Sequence, residues 1–115
     1  ELYTLIDRMA DFATINKAGD VFIKREELTT KEKVGLVVCA RFLGNQLDGG
    51  INPTVTIDEV AKYAVLDRAS AAARLVDLTK EGIIVRTGEG VYKARSLSTI
   101  SKFVEELLGK YSEGR

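Results

Sequence analysis

The stretch that decides the fold is residues 56–95, TIDEVAKYAVLDRASAAARLVDLTKEGIIVRTGEGVYKAR. It begins with a capping-box pattern, in which the Thr56 hydroxyl and the Glu59 carboxylate each accept a hydrogen bond from an otherwise unpaired backbone N–H group. This pattern predicts a short helix over residues 57–64. Val65 and Leu66 follow as a tight turn, and Asp67 is of a residue type that caps the start of a helix, which predicts a second helix.

The second helix and the segment after it complete a characteristic order of elements. Three apolar residues at helical spacing form the inward face of this helix: Ala71, Leu75 and Leu78. Gly82 then ends it. Residues 83–87 and 91–95 favour strands and are separated by Gly-Glu-Gly, so they predict a β-hairpin. The order is therefore helix, turn, helix, hairpin.

The residues before this stretch predict two more helices. Apolar residues recur at three- and four-residue steps near the start: Leu2, Leu5, Ile6, Met9, Phe12 and Ala13. They predict an amphipathic helix over residues 2–13, and a turn at residues 16–20 precedes a short strand at residues 21–23. Thr29 and Glu32 form another capping box, which predicts a helix from about Thr30.

The helix that begins near Thr30 must be covered on several sides, because its apolar residues point in nearly every direction around the axis. The amphipathic helix at residues 2–13 is a natural cover. A final helix begins at Ser96, and one apolar stripe runs along it: Leu97, Ile100, Val104, Leu107, Leu108 and Tyr111. We therefore predict a mainly α protein with a small β-hairpin, in the α+β class. Residues 1–29 form an N-terminal helix and short strand packed on the core, and residues 30–115 form the main domain.

Composition excludes several classes of function. The 115 residues include equal numbers of acidic and basic side chains, no histidine and a single cysteine. Histidine catalysis and zinc clusters are therefore excluded, and Cys39 lies in an apolar run typical of a core. We expect no enzyme activity, catalytic residue, metal or cofactor. No apolar run approaches the roughly 20 residues that cross a bilayer, so we expect a cytoplasmic protein without membrane contact. Because the sequence begins at Glu1, we expect it to be part of a longer chain.

Residues 72–86, AARLVDLTKEGIIVR, and residues 88–92, GEGVY, resemble archaeal and bacterial transcription regulators of the winged helix-turn-helix superfamily. The resemblance covers residues 30–111. It implies a winged helix-turn-helix with an additional N-terminal helix and a C-terminal helix. The partner that it implies is double-stranded DNA, bound by a transcriptional regulator or an accessory DNA-binding domain.

In this superfamily the second helix of the motif enters the major groove, and the hairpin, or wing, contacts the DNA backbone or the minor groove. The positions that the resemblance assigns to DNA are Arg68, Ala69, Ser70, Ala72, Ala73, Arg74, Lys80, Arg86, Lys93 and Arg95. Base discrimination usually requires Arg, Lys, Asn or Gln on the outward face, whereas the first two outward turns here carry alanine. We therefore expect weak base readout, with backbone contacts and DNA shape dominating.

Two interpretations stay open for several of these residues. For Arg68 we favour a contact with a DNA phosphate. For Arg74 we favour an ion pair with Asp67, Asp77 or Glu59. The basic residues of the wing, Arg86, Lys93 and Arg95, favour binding to a nucleic acid. Their alternative role is only to keep the hairpin soluble.

The competing function is that of a protein-interaction module in a larger complex, because the chain as a whole is neutral. Its contact surface, with a second copy or another protein, is an outward apolar strip formed by Ala69, Ala72, Ala73 and Val76. The C-terminal helix is another candidate dimer surface, through Leu108 and Tyr111.

Overall fold

The computed structural model describes residues 2–111 as one α+β unit with five helices and two small antiparallel sheets. The elements in chain order are α1 (Leu2–Met9), β1 (Ala13–Ile15), β2 (Val21–Ile23), α2 (Thr30–Leu47), β3 (Val55–Thr56), α3 (Ile57–Ala64), α4 (Arg68–Lys80), β4 (Ile84–Gly88), β5 (Val91–Ala94) and α5 (Leu97–Tyr111). Residues 112–115 of the predicted main domain lie outside the described residues. No helix in the described part of the chain is long and apolar enough to cross a membrane.

The two sheets are built differently. Strands β1 and β2 form an isolated antiparallel pair, whereas the second sheet has the order β3-β5-β4. The hairpin β4–β5 and strand β2 confirm the sequence prediction, except that β4 is shifted by one residue at both ends and β5 ends one residue earlier than predicted. Strands β1 and β3 were not predicted, because Ala13 of β1 fits the apolar period of the preceding helix and the two residues of β3 are too few to display an alternating pattern.

Helix α2 is the centre of the core, as its apolar pattern predicts. An unbroken run from Val34 to Arg41 is buried, and α2 packs against α1, α3, α4 and both sheets. The Thr29–Glu32 capping box begins the helix as expected. Gly35 allows α5 to approach, because a Cβ atom there would lie 2.5 Å from Cζ of Phe103. Phe103 is a core residue that the predicted stripe on α5 omitted.

Two predictions about helix faces are wrong. Helix α1 ends at Met9 rather than Ala13, and Ala13 begins β1. The helix ends early because of a contact with a distant residue. The Phe12 carbonyl accepts a hydrogen bond from the Lys24 amide at 2.8 Å, so the chain leaves the helix to pair with β2. On α5, Leu97 is 38% exposed rather than part of the buried stripe.

A buried arginine joins three segments of the fold. The Arg41 guanidinium, from α2, is almost fully buried and donates from Nε to the Gly19 carbonyl at 2.9 Å. It also donates from Nη1 to the carbonyls of Thr54 at 3.1 Å and Asn52 at 3.3 Å, and from Nη2 to Oε2 of Glu59 at 3.1 Å. Arg41 therefore ties the β1–β2 turn, the loop before β3 and the start of α3 to the central helix.

The end of α5 is attached to the start of α2. The Tyr111 hydroxyl donates to Oε1 of Glu32 at 2.5 Å, and Lys110 Nζ lies 2.9 Å from Oε2 of the same carboxylate. Burial alone would raise the pKa of Glu32, but hydrogen bonds from Tyr111, the Thr29 amide and Lys110 outweigh it and hold that pKa below its ordinary value. The charged form of Glu32 is therefore the one that holds this contact.

Candidate nucleic-acid interface

The start of α4 is fixed by a cap and a tight turn. Oδ1 of Asp67 accepts a hydrogen bond from the Ser70 amide at 2.7 Å, as predicted, and this bond lowers the pKa of Asp67. The preceding residue pair makes the turn, in which Val65 adopts the left-handed conformation with φ 57° and ψ 56°. A β-branched residue rarely takes this conformation, because its Cβ atom crowds the backbone. Its side chain is nevertheless 86% exposed.

The faces of α4 agree with the helical arrangement predicted from sequence, with one difference. The inward residues Ala71, Leu75 and Leu78 are completely buried. Four of the outward residues are exposed: Ala69, Ala73, Val76 and Lys80. Ala72 is partly covered, because it lies on the flank of this face rather than at its centre. The outward surface of α4 is therefore narrow, small and mostly apolar.

Both arginines of α4 have carboxylate partners. Arg74 Nε lies 2.8 Å from Oδ2 of Asp77, which is one of the three ion-pair partners expected for Arg74. Arg68 Nε lies 2.9 Å from Oδ1 of Asp58, at the start of α3. The partner of Arg68 was not anticipated, because residues 58 and 68 become neighbours only when α3 and α4 pack together. Both members of the Arg68–Asp58 pair are largely exposed, with side chains 66% and 79% accessible.

The hairpin carries its cations on two faces. Lys93 lies opposite Val85, and Arg86 lies opposite Tyr92. Side chains alternate along a strand, so Lys93 and Arg86 project from opposite faces. The Arg95 amide donates to the Ile83 carbonyl at 3.1 Å, which continues the ladder and places Arg95 on the same face as Lys93.

The tip of the hairpin lies against the start of α3. The Ile57 amide donates to the Gly90 carbonyl at 3.2 Å, and Gly90 has a φ of 70°. A Cβ atom on Gly90 would lie 3.6 Å from Cδ1 of Ile57, so the two backbones are close. The next residue of α3, Asp58, holds Arg68 at the start of α4. The hairpin tip and the first turns of α3 and α4 are therefore connected on one side of the molecule.

The charges of the hairpin and of α4 are unevenly compensated. No carboxylate in residues 2–111 lies within ion-pair distance of Arg86, Lys93 or Arg95. Arg86 Nε instead donates to the Gly88 carbonyl at 3.1 Å. The three hairpin cations therefore lack carboxylate partners among residues 2–111, whereas both arginines of α4 are paired.

Other candidate residues from the sequence occupy structural positions. Cys39 is completely buried, and burial raises the pKa of its thiol to about 12, which agrees with its interpretation as a core residue. Leu108 and Tyr111 pack partly buried against the core of their own chain. Among the described residues, no group of histidine, cysteine or carboxylate side chains has the arrangement of a metal site.

Comparison of the chain with protein-family models, with curated proteins and with solved structures finds no match.

Proposed function

We propose that the segment from α2 to α5 is a winged helix-turn-helix that binds double-stranded DNA, as a transcriptional regulator or an accessory DNA-binding domain. The hairpin is its wing and α4 is its groove-facing helix. Phosphate contacts and groove shape dominate the binding, because the outward face of α4 offers alanine and valine where base-reading side chains would stand.

The observation that carries this proposal is the connection of the hairpin tip with the first turns of α3 and α4. Backbone N–H groups at helix starts and nearby cations are the groups that usually contact DNA phosphates. Lys93, in the middle of the hairpin, and Arg95, at the end away from the tip, stand on one face of it without carboxylate partners among residues 2–111. The sheet order β3-β5-β4 and the packing of α4 on α2 and α3 also agree with this motif.

Fluorescence polarisation with a labelled duplex of random sequence, measured across a salt series, tests the proposal. We expect binding that weakens as salt increases, because each neutralised phosphate releases counterions. The double variant Lys93→Ala/Arg95→Ala loses about tenfold in affinity at low salt, and its log–log salt slope becomes shallower by roughly two.

The matched control is Arg8→Ala/Lys17→Ala, which removes the same charge from other exposed sites. Arg8 is on α1, which packs on α5 and α2, and Lys17 is in the β1–β2 turn. This control retains an affinity within about twofold of the wild type, since neither of the two side chains is expected to contact a phosphate. Absence of binding at low salt, or equal losses in the two double variants, contradicts the proposal.

A second candidate function is supported by the exposed apolar part of α4. Ala69, Ala73 and Val76 are exposed together, and Val76 is 44% accessible. Such a strip is typical of a protein contact, here with a second copy of the chain. Analytical sedimentation distinguishes the two candidate functions. The second is supported if the protein does not bind DNA and associates with itself independently of salt, and if Ala73→Glu abolishes this self-association.

A further inference from the structure

An apolar cavity of about 220 Å³ opens to the surface between α1, β1 and the second half of α2. Its floor is formed by buried residues of α2, namely Ala40, Leu43 and Gly44. Residues of α1 and β1 form its walls, and Leu47, which is 50% accessible, stands at its rim. No residue of α4 or of the hairpin lines it, so the cavity is separate from the surface that we assign to DNA.

The cavity exists because small residues meet there. Four of its lining residues are alanine or glycine: Ala10, Ala13, Ala40 and Gly44. Gly44 also lets Ile15 lie against α2, since a Cβ atom on residue 44 would come within 2.8 Å of Cδ1 of Ile15. Protein interiors are normally close-packed, so a space of this size leaves the lining atoms without van der Waals partners on one side. A ligand that fills the space restores those contacts.

The backbone beside the cavity already has hydrogen-bond partners. The Ile6 carbonyl accepts a hydrogen bond from the Ala10 amide at 3.0 Å, and the Met9 carbonyl accepts one from the Phe12 amide at 2.8 Å. The Ala10 carbonyl accepts a hydrogen bond from Nζ of Lys24 at 2.7 Å. Water is held in a cavity by two to four polar partners, which these walls do not supply. The cavity therefore suits an apolar ligand better than a cluster of water molecules.

The side chains of the lining indicate the chemical class of this ligand. None of them is charged, and the one hydroxyl among them belongs to Thr14, which is an exposed residue. Met9 is 4% accessible, and a thioether makes favourable contacts with the edge of an aromatic ring. A charged ligand would lose its hydration here without gaining a partner. The lining therefore favours a neutral aromatic molecule.

The size of the apolar surface favours a small molecule over a protein. Asp7, Asp11 and Asp48 are each the chain neighbour of a lining residue, and all three are exposed. The apolar surface is therefore confined to the cavity, whereas a stable protein interface buries about 800 Å² on each partner. An apolar cavity of about 150 Å³ is large enough for benzene, so this larger one accommodates two fused rings.

We propose that this cavity binds a small neutral aromatic molecule of two fused rings. The ring system lies between α1 and α2, on the small residues Ala40 and Gly44, and meets Met9 at its edge. Binding is driven by the burial of the apolar surface of the ligand and by the contacts that it restores to the lining.

The experiment uses indole as the probe, with protein amide shifts recorded by NMR. We expect saturable binding with a dissociation constant at or below about 1 mM and the largest shifts at Met9, Ala13 and Gly44. Because the chain has no tryptophan, the fluorescence of indole itself provides a second measurement. Purine is the matched control ligand, since it has the same shape as indole but carries ring nitrogens that the cavity leaves unpaired. Purine binds at least tenfold more weakly.

Two protein variants separate the cavity from the rest of the surface. Ala10→Leu fills part of the space, so the affinity for indole falls at least tenfold while the thermal midpoint is no lower than that of the wild type. Leu47→Glu places a charge at the rim and weakens indole binding severalfold. Leu97→Glu makes the same change at another exposed leucine, on α5 and outside the lining, and leaves indole binding unaltered.

Four results overturn the proposal. The first is no saturable shift at the lining amides at indole concentrations of about 10 mM. The second is equal affinity for indole and purine, which means that the lining does not select an apolar ligand. The third is wild-type affinity for indole in both Ala10→Leu and Leu47→Glu. The fourth is a set of shifts at the lining that grows with protein concentration in the absence of indole and is lost in Leu47→Glu, which assigns the cavity to a second copy of the chain.

Discussion

Two neighbouring carboxylates in the first turn of α3 each hold an arginine, but in opposite surroundings. Glu59 holds Arg41, whose side chain is 5% accessible, inside the protein. Asp58 holds Arg68, whose side chain is 66% accessible, on the surface that we assign to DNA. The N···O distances are similar, 3.1 Å and 2.9 Å, so distance alone does not distinguish the two pairs.

Burial makes the difference between them. Arg41 also satisfies three backbone carbonyls, and its removal leaves those carbonyls without this partner in the poorly hydrated place that the guanidinium occupied, whereas the Glu59 side chain is 38% accessible and its carboxylate can be hydrated. Water can replace either member of the exposed Arg68–Asp58 pair, which is worth about 0–1 kcal/mol. An exposed ion pair therefore does not prevent Arg68 from exchanging its carboxylate for a DNA phosphate.

The largest effect is expected at the buried pair. Arg41→Ala lowers the free energy of unfolding by about 4 kcal/mol, because it removes a buried side chain and orphans the carbonyls of Gly19, Asn52 and Thr54. Urea denaturation measures it. Arg8→Ala, which breaks the exposed pair with Glu105, is the control and costs less than about 1 kcal/mol. Similar losses in the two variants mean that burial is not what distinguishes the pairs.

The contact of Glu32 with Lys110 and Tyr111 is intermediate in burial between these two pairs. The Glu32 side chain is 13% accessible and is bound by Lys110 and Tyr111. Glu32→Gln keeps the shape of the side chain but removes its charge, so we expect a loss of about 1–2 kcal/mol at neutral pH.

The loss at Glu32 depends on pH with a defined sign. The folded protein holds the pKa of Glu32 below its ordinary value of 4.5. The charged form therefore contributes stability above that value, and the contribution disappears as pH falls through the folded pKa. Wild type and Glu32→Gln should converge in denaturation experiments at acidic pH, whereas a difference that grows on acidification contradicts this assignment.

A smaller effect is expected on duplex binding when the exposed pair is opened. Asp58→Asn removes a negative charge beside Arg68 and frees its guanidinium, so affinity for duplex DNA increases about threefold at low salt. Fluorescence polarisation measures the change. Glu105→Gln makes the same change of charge on α5 and should leave the affinity unaltered. A weaker complex in Asp58→Asn indicates that Asp58 positions Arg68 for its contact.

The smallest effect is on stability at the same exposed pair. Arg68→Ala changes the free energy of unfolding by about 0.3 kcal/mol, because solvent already screens its contact with Asp58. A double-mutant cycle with Asp58→Ala isolates the coupling. A coupling well above about 1 kcal/mol would mean that the Arg68–Asp58 pair is as strong as the pair of Arg41 and Glu59. It would argue against the exchange of Asp58 for a DNA phosphate.

The local signals in the sequence identified most of the elements and part of the candidate site. Capping residues Thr29, Thr56 and Asp67 begin the helices where predicted, because a cap acts on the backbone of its own turn. The spacing of Ala71, Leu75 and Leu78 identified the buried face of α4, and hence the alanines on its exposed side. The partner of Arg74 was among the predicted alternatives, since Asp77 is one helical turn away.

The unpredicted features all depend on contacts between distant residues. Strand β1 exists because it pairs with β2, and this pairing shortened α1 against its own apolar period. Asp58 and Arg68 meet only because α3 packs against α4, so the sequence pattern of neither helix indicates their pairing.

The sequence by itself determined the order of helices, turn and hairpin, since periodicity, caps and glycine turns are properties of neighbouring residues. Only the tertiary structure decided which charges are free. Packing places Asp58 against Arg68 and buries Arg41 on Glu59, whereas it leaves Lys93 and Arg95 without a carboxylate within the described residues. The charge of a side chain is written in the sequence, but its effect depends on solvent exposure and on neighbours that folding brings to it.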